Sequence, residues 1–282
     1  MSIRLIGDAV IIKSFNNNII LTKVNGKEKI IFGKGIGFSK KFGDKLLDGT
    51  EVEKIFSIES KDNIRNFSKL VNSVDKDFMA ICEEAIYEIS KCVDSELDEN
   101  IHIGLIDHLS FAVKRLKNHE EIQNPFIVEV ETLYNKEYEL AKLVAEKVGK
   151  YSNVVIPEGE IGFIALHIHS AMNNGHVSKT LKYSYLSKTV VEYVEKELEI
   201  SIDKKSLDYA RFLTHIRFAI ERMVKDLPVE NELIDVIKKK YEKSYNVAKE
   251  IAKIIKDQLS IGVTDDEVAY LAMHIERFRI TK

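Results

Sequence analysis

Two textures of apolar spacing meet near residue 60. Before it, apolar residues come in short β-branched runs, Ala9–Lys13, Asn18–Val24, Glu28–Phe32 and Glu51–Ile58. Short runs bounded by turn residues predict strands. Asn25-Gly26 between two of them is a hairpin signal, because a type I′ turn needs positive φ at both central residues. Asn16-Asn17-Asn18 supplies another turn. Gly33-Lys34-Gly35-Ile36-Gly37 lets the backbone bend sharply and approach a neighbour closely. The expectation is an antiparallel sheet of about four strands. So small a unit buries little apolar surface, which a homodimer would relieve. Residues 60–76 predict a charged helical connector. From Phe78 onward the spacing becomes helical, as in Met79, Cys82, Ala85, Ile86 and Ile89.

Within the helical part the pattern repeats. Glu160-Ile-Gly-Phe-Ile-Ala-Leu-His167 returns 107 residues later as Glu267-Val-Ala-Tyr-Leu-Ala-Met-His274. His108, Phe111, Ala112 and Arg115 return at the same offset as His215, Phe218, Ala219 and Arg222, and Tyr134, Tyr138, Ala141 and Lys142 as Tyr241, Tyr245, Ala248 and Lys249. An ungapped offset held this long marks a duplicated domain. Thr264 and Glu267 form a capping box that opens the last helix, each expected to satisfy the other's free N–H. Pro157, at the matching place in the first copy, suits a first helical turn. Asn173-Asn174-Gly175 reads as the loop between copies. The expected division is residues 1–60 for the sheet, 61–173 for the first all-α bundle and 174–282 for the second.

Composition changes the picture in two places. Hydrophobic content is 45%, ordinary for a globular chain, and no run approaches the roughly 18 apolar residues that a membrane span needs. The N-terminus has neither an apolar signal core nor a cleavage site. Cys82 and Cys92 lie on different faces of one predicted helix and read as reduced thiols, so a cytoplasmic chain is expected. The formal charge of −3 hides an asymmetry: residues 1–45 sum to +6 and the remainder to −9. A basic head on an acidic body predicts that the head meets a polyanion.

The four repeated histidines are the candidate chemistry. One reading makes them core or interface residues satisfied by hydrogen bonds. On a helix His167 shares a face with Phe163, Ile164, Ser170 and Ala171, a mostly apolar strip. No metal site is expected: Glu-x-x-His is missing, since Leu105, Ile164, Phe212 and Leu271 stand three residues before the histidines. His167 and His169 are not a helical chelate, because two residues turn through roughly 200°. His102 and His169 fall outside the repeat, and His119 and His176 sit in polar loops. The other reading is phosphoryl acceptance. A neutral imidazole is a competent nucleophile, and a phosphoryl group adds about −1.5 to −2 charges at a helix interface. Arg115 and Arg222, two turns after His108 and His215, either hold that phosphate in forked hydrogen bonds or form surface ion pairs. In the head, lysines, asparagines and Phe38 suit RNA, whose bases stack on rings while cations meet phosphates. An ordinary basic sheet is the alternative.

Together these stretches resemble the BglG/SacY-type transcriptional antiterminators over essentially the full length. Lys13-x-x-Asn16-Asn-Asn18 and Gly33-Lys-Gly-Ile-Gly-Phe38-Ser-Lys-Lys41-x-Gly-Asp44 resemble their co-antiterminator RNA-binding domain. The two copies resemble phosphotransferase-system regulation domains (PRDs). Ile101–His108, Asn124-Pro125-Phe126 and Pro157–His169 look most like the family's glucose-responsive branch. The resemblance implies a non-enzymatic, cofactor-free regulator. Its dimeric head would bind a hairpin in a leader transcript and exclude a terminator. Lys13, Asn18, Gly33, Lys34, Phe38 and Ser39 match the RNA-contacting positions; Lys34 and Ser39 stand where many members carry Arg and Gln. His108, His167, His215 and His274 match the phosphorylated histidines, the first pair served by a sugar-specific enzyme II and the second by HPr. The chain begins several residues earlier than is common, which implies an added strand. Two competing classes make other demands. A DNA-binding activator with PRDs requires an N-terminal helix-turn-helix, and a histidine phosphorelay leaves the basic head without a task.

Overall fold

The structure, a computed structural model, describes residues 3–173, 175–227 and 229–280. Asn174, in the expected loop between copies, lies outside them.

The head is built on β2 (Ala9–Ser14), β3 (Ile19–Val24), β4 (Lys27–Phe32), β5 (Lys45–Leu46) and β7 (Lys54–Ile58), ordered β5-β2-β3-β4-β7 and antiparallel throughout. β1 (Ile3–Arg4) pairs with β6 (Glu51–Val52) as a separate ladder. The sheet has more strands than the spacing predicted, because two-residue strands carry no readable alternation. The Asn25-Gly26 turn has φ of 49° and 84°, as a type I′ turn requires.

In β2 the register slips between Ile11, opposite Thr22, and Lys13, opposite Leu21. Strict alternation would aim Lys13 at the face that buries Ile11; the bulge redirects it. One sheet face closes on Leu5, Ala9, Ile11, Ile20, Val24, Ile31, Ile36, Leu46 and Val52. The other is covered by helices, with Phe32 stacked on Tyr87 at 4.8 Å and Phe56 edge-on to His102 at 4.7 Å. Cover on both faces explains why Ile19–Thr22 is buried without a break.

The connector is α1 (Lys61–Ser73), buried through Phe67, Leu70 and Val71. Asp75 caps α2 (Lys76–Cys92) by accepting from the amides of Asp77 and Phe78. Met79, Cys82, Ala85, Ile86 and Ile89 are all buried there, as the spacing predicts. Then follow α3 (Ile101–Lys117), α4 (Ile127–Leu133), α5 (Asn135–Ser152), α6 (Glu158–Met172), α7 (Val177–Leu198), α8 (Leu207–Val224), α9 (Ile234–Lys240), α10 (Glu242–Leu259) and α11 (Asp265–Ile280). The 107-residue offset holds at the starts of α4 and α9, α5 and α10, and α6 and α11.

The chain forms two compact units. One holds the chain up to Asn124 together with Lys136–Val177; the other holds Pro125–Asn135 and the chain from Ser178 on. The short segment carrying α4 therefore packs with the second copy's helices. Val128 and Leu133 join that core, and Glu129, 1% exposed, accepts the Tyr209 hydroxyl at 2.7 Å. At the helix starts, Pro157 is the residue just before α6 and not its first turn. Thr264 accepts the Glu267 amide at 3.3 Å, but the Glu267 carboxylate turns to Arg222 instead of closing the box. A guanidinium in a half-buried site is the stronger partner.

Candidate functional site

His108 projects from α3 and His167 from α6, and their ring centroids lie 5.1 Å apart. Phe163, one turn before His167, flanks His108 at 5.9 Å. Glu160, fully buried two turns before His167, accepts from Arg115 Nη2 at 2.6 Å. Its other oxygen is 3.1 Å from His108 Nε2, in ion-pair range but poorly aligned for a hydrogen bond. Burial alone would raise the Glu160 pKa, but His108 and Arg115 outweigh it and hold the group below the usual carboxylate range. Burial and the neighbouring His108 push the His167 pKa down to about 3, so at neutral pH that ring is uncharged.

The second copy builds the same constellation. His215 from α8 stacks on His274 from α11 at 3.9 Å and 26°. Arg222 grips Glu267 with Nε and Nη2, both at 2.7 Å. Burial, then Arg222, lowers the His215 pKa. Burial, with His215 and Arg277 against an opposing Asp208, lowers that of His274 to about 4. His215, Arg222, Glu267, Tyr270 and His274 line a cavity of about 190 Å³. The structure thus brings the four repeated histidines into two pairs. In both copies the arginine is paired with a buried carboxylate, Arg115 through Nη2 and Arg222 through Nε and Nη2.

Histidines outside the repeat have other partners. His102, 1% exposed, pairs through Nδ1 with buried Glu83 at 2.7 Å, and His169 pairs with Glu137 at 2.7 Å. His119 and His176 are exposed. Cys82 is buried, which pushes its thiol pKa up, and Cys92 is exposed. Among the described residues no cluster of three or more His, Cys, Asp or Glu side chains could hold a metal, and no helix is long and apolar enough to cross a membrane.

In the head the six candidate RNA residues divide. Phe38 stands 66% exposed, with Lys34 and Ser39 also open, and Ser39 is in the left-handed region at φ 55°. Asn18 organises the glycine turn: its carbonyl accepts from Gly33 N at 3.0 Å and its side chain from Gly35 N at 2.9 Å. A Cβ on Gly37 would lie 2.1 Å from the Asn16 carbonyl oxygen, so only glycine fits. Lys13 is engaged within the chain, its ammonium donating to Val71 O of α1 at 2.7 Å. Asn16 donates to Glu84 of α2 at 2.9 Å, and Asn18, Gly33 and Lys34 share a cavity of about 240 Å³ with Glu84, Tyr87 and Glu88.

Residues 9–65 match the CAT RNA binding domain, and residues 83–171 and 188–278 each match the PRD domain. Protein GlcT of Staphylococcus haemolyticus (strain JCSC1435) is 36% identical over 274 residues, 96% of each chain. The chain belongs to the GlcT family of PRD proteins. Protein GlcT of Staphylococcus epidermidis is 35% identical over 96% of this chain and 97% of its own. The crystal structure of GlcT CAT-PRDI is 40% identical, with a TM-score of 0.51, over 60% of this chain and all of that one.

In this GlcT-family chain, spacing alone did not assign a role to Glu160 and Glu267 as the carboxylates beneath the histidines. The signal was present: an acid and a base, 45 residues apart, recur together in both copies. The Glu83–His102 pair left no such trace, because its partners come from unrelated positions.

Proposed function

We infer that this protein is a PRD-controlled antiterminator of sugar phosphotransferase genes. The head grips an RNA hairpin in a leader transcript as a homodimer, and the hairpin excludes a terminator. His108 and His167 take phosphate from a sugar-specific enzyme II, and His215 and His274 from HPr. The observation that carries this reading is the paired constellation: two close histidines over a buried Glu–Arg pair, built twice behind a basic RNA-binding-type sheet. The antiparallel head leaves no place for the helix-turn-helix that a DNA-binding activator requires.

The geometry supports phosphoryl transfer. Nε2 of His108 turns inward to Glu160, which leaves Nδ1 to attack. Its lone pair forms the new N–P bond as the bond from phosphorus to the donor atom breaks. The donor leaves with the electron pair of the broken bond, the ring gives up its proton to solvent, and Glu160 steadies the positive ring meanwhile. RNA contact falls to Lys13, Asn18, Gly33, Lys34, Phe38 and Ser39, with Phe38 as the stacking surface.

A mobility shift of the full chain with leader RNA and with duplex DNA of the same sequence, across a salt series, tests the reading. Preference for the RNA hairpin is expected, and duplex DNA binding without RNA preference overturns it. Incubation with enzyme I and HPr, with and without an enzyme II, then mapping of phosphohistidine, assigns each donor.

A further inference from the structure

A second cavity, about 200 Å³, is lined by His167 but not by His108. Its polar wall is Asn63 and Asn66 from α1, Asn100 at the start of α3, Ser170 from α6, and His176 just before α7. Ser170 is 3% exposed, and its Oγ has no hydrogen-bond partner among the described residues. A buried hydroxyl left unpaired costs stability unless something comes to it. Gly104 keeps the imidazole accessible from this side, since a Cβ there would lie 3.3 Å from His167 Nδ1. At the start of α3 the Asn100 side chain is committed within the chain, its Nδ2 donating to Asp98 Oδ1 at 2.6 Å. The second copy has Arg211 and Arg277 where Gly104 and Ser170 stand.

We propose that this cavity receives the phosphoryl group when His167 carries it, and that α1 reads its arrival. The inference rests on the reading that His167 is phosphorylated. The ligand is a histidine-borne phosphoryl group, whose three acceptor oxygens meet the Ser170 hydroxyl and the amides of Asn66 and Asn63. Asn63 is already committed: its Nδ2 donates to Glu99 Oε1 at 2.5 Å. The same Glu99 carboxylate accepts the backbone N–H groups of Glu59 and Ser60, and so clamps the start of α1. A phosphoryl group drawing on Asn63 competes with Glu99 and repels it, loosening that clamp. Near its other end α1 holds Lys13 of the head through Val71 O. One helix therefore joins the His167 cavity to a candidate RNA residue.

Potassium phosphoramidate supplies the test without a protein donor: an imidazole nitrogen takes the phosphoryl group, the reagent's P–N bond breaks, and ammonia leaves with the ring's proton. The full chain is compared with Asn66→Ala and Ser170→Ala, in which the fold is expected to persist. Mass spectrometry follows the half-life of phospho-His167, with phospho-His274 as an internal control, and the acetylation rate of Lys13. In the unaltered chain, phosphorylation raises the Lys13 rate severalfold. Each variant shortens the phospho-His167 half-life about fivefold, the equivalent of one hydrogen bond, blunts the Lys13 response and leaves phospho-His274 unchanged. Phospho-His167 with the same half-life and Lys13 response in all three proteins overturns this inference alone. No phosphate on His167 overturns both it and the phosphorylation reading.

Discussion

At the residue scale, Glu160 and Glu267 set the character of the paired histidines. Each is a buried carboxylate ion-paired with an arginine, and each lies behind the α3 or α8 histidine of its copy. Glu160→Gln leaves Arg115 without its charge partner and removes the negative field behind His108. We expect a loss of about 1–3 kcal/mol in urea unfolding and slower phosphorylation of His108 than of His215, read by mass spectrometry; unchanged stability would contradict the pairing. The histidines also predict an acid response. With folded pKa values of about 3 for His167 and about 4 for His274, the unfolded chain binds protons first as pH falls below 6.5. Stability is then fully present above 6.5 and declines toward pH 4, by up to about 1.4 kcal/mol per pH unit for each proton. Glu160, with its lowered pKa, adds its own loss only below the ordinary carboxylate range of about 4.5. Denaturant midpoints from pH 7 to 4 measure the decline, and His167→Gln should flatten it.

At the element scale, the glycine turn and the β2 bulge place the head's side chains. Gly37→Ala forces a methyl against the Asn16 carbonyl, a contact the backbone cannot yield cheaply. Thermal unfolding should show the head destabilised by about 2 kcal/mol or more, together with lost RNA binding; a normal melt would mean the turn can shift. Strands β2, β3, β4 and β7 and the helices of both copies were legible because their apolar residues alternate or recur at the helical period. β1, β5 and β6 were not, being too short for a period. Nor was the bulge, because Ile11-Ile12-Lys13 reads as unbroken strand. The Thr264–Glu267 box was read from local sequence, but the distant Arg222 claimed its carboxylate, a choice no local pattern records. The site was legible to the same depth: the offset marked four histidines, while their mutual distances and the engagement of Lys13 with α1 depend on tertiary packing.

At the scale of the whole molecule, duplication was the clearest signal, since an ungapped 107-residue offset survives in the helix starts themselves. The grouping of Pro125–Asn135 with the second unit was not foreseeable, because periodicity says which face is apolar and not which core receives it. A charge placed permanently at the α3 histidine should imitate the switched-off state. His108→Asp is expected to weaken RNA binding by disturbing the dimer, with the RNA-facing residues intact. Light scattering beside a mobility shift checks this: unchanged mass and unchanged affinity would remove the mechanism. The central claim is that phosphate on these imidazoles governs the grip on a transcript. Its most direct test is the dissociation constant of the full chain for its leader hairpin, before and after phosphorylation by enzyme I, HPr and enzyme II, with a His108, His167, His215 and His274 to alanine variant alongside. The account predicts a large shift in the unaltered chain and none in the variant. Equal affinities throughout, with phosphohistidine verified, would contradict it.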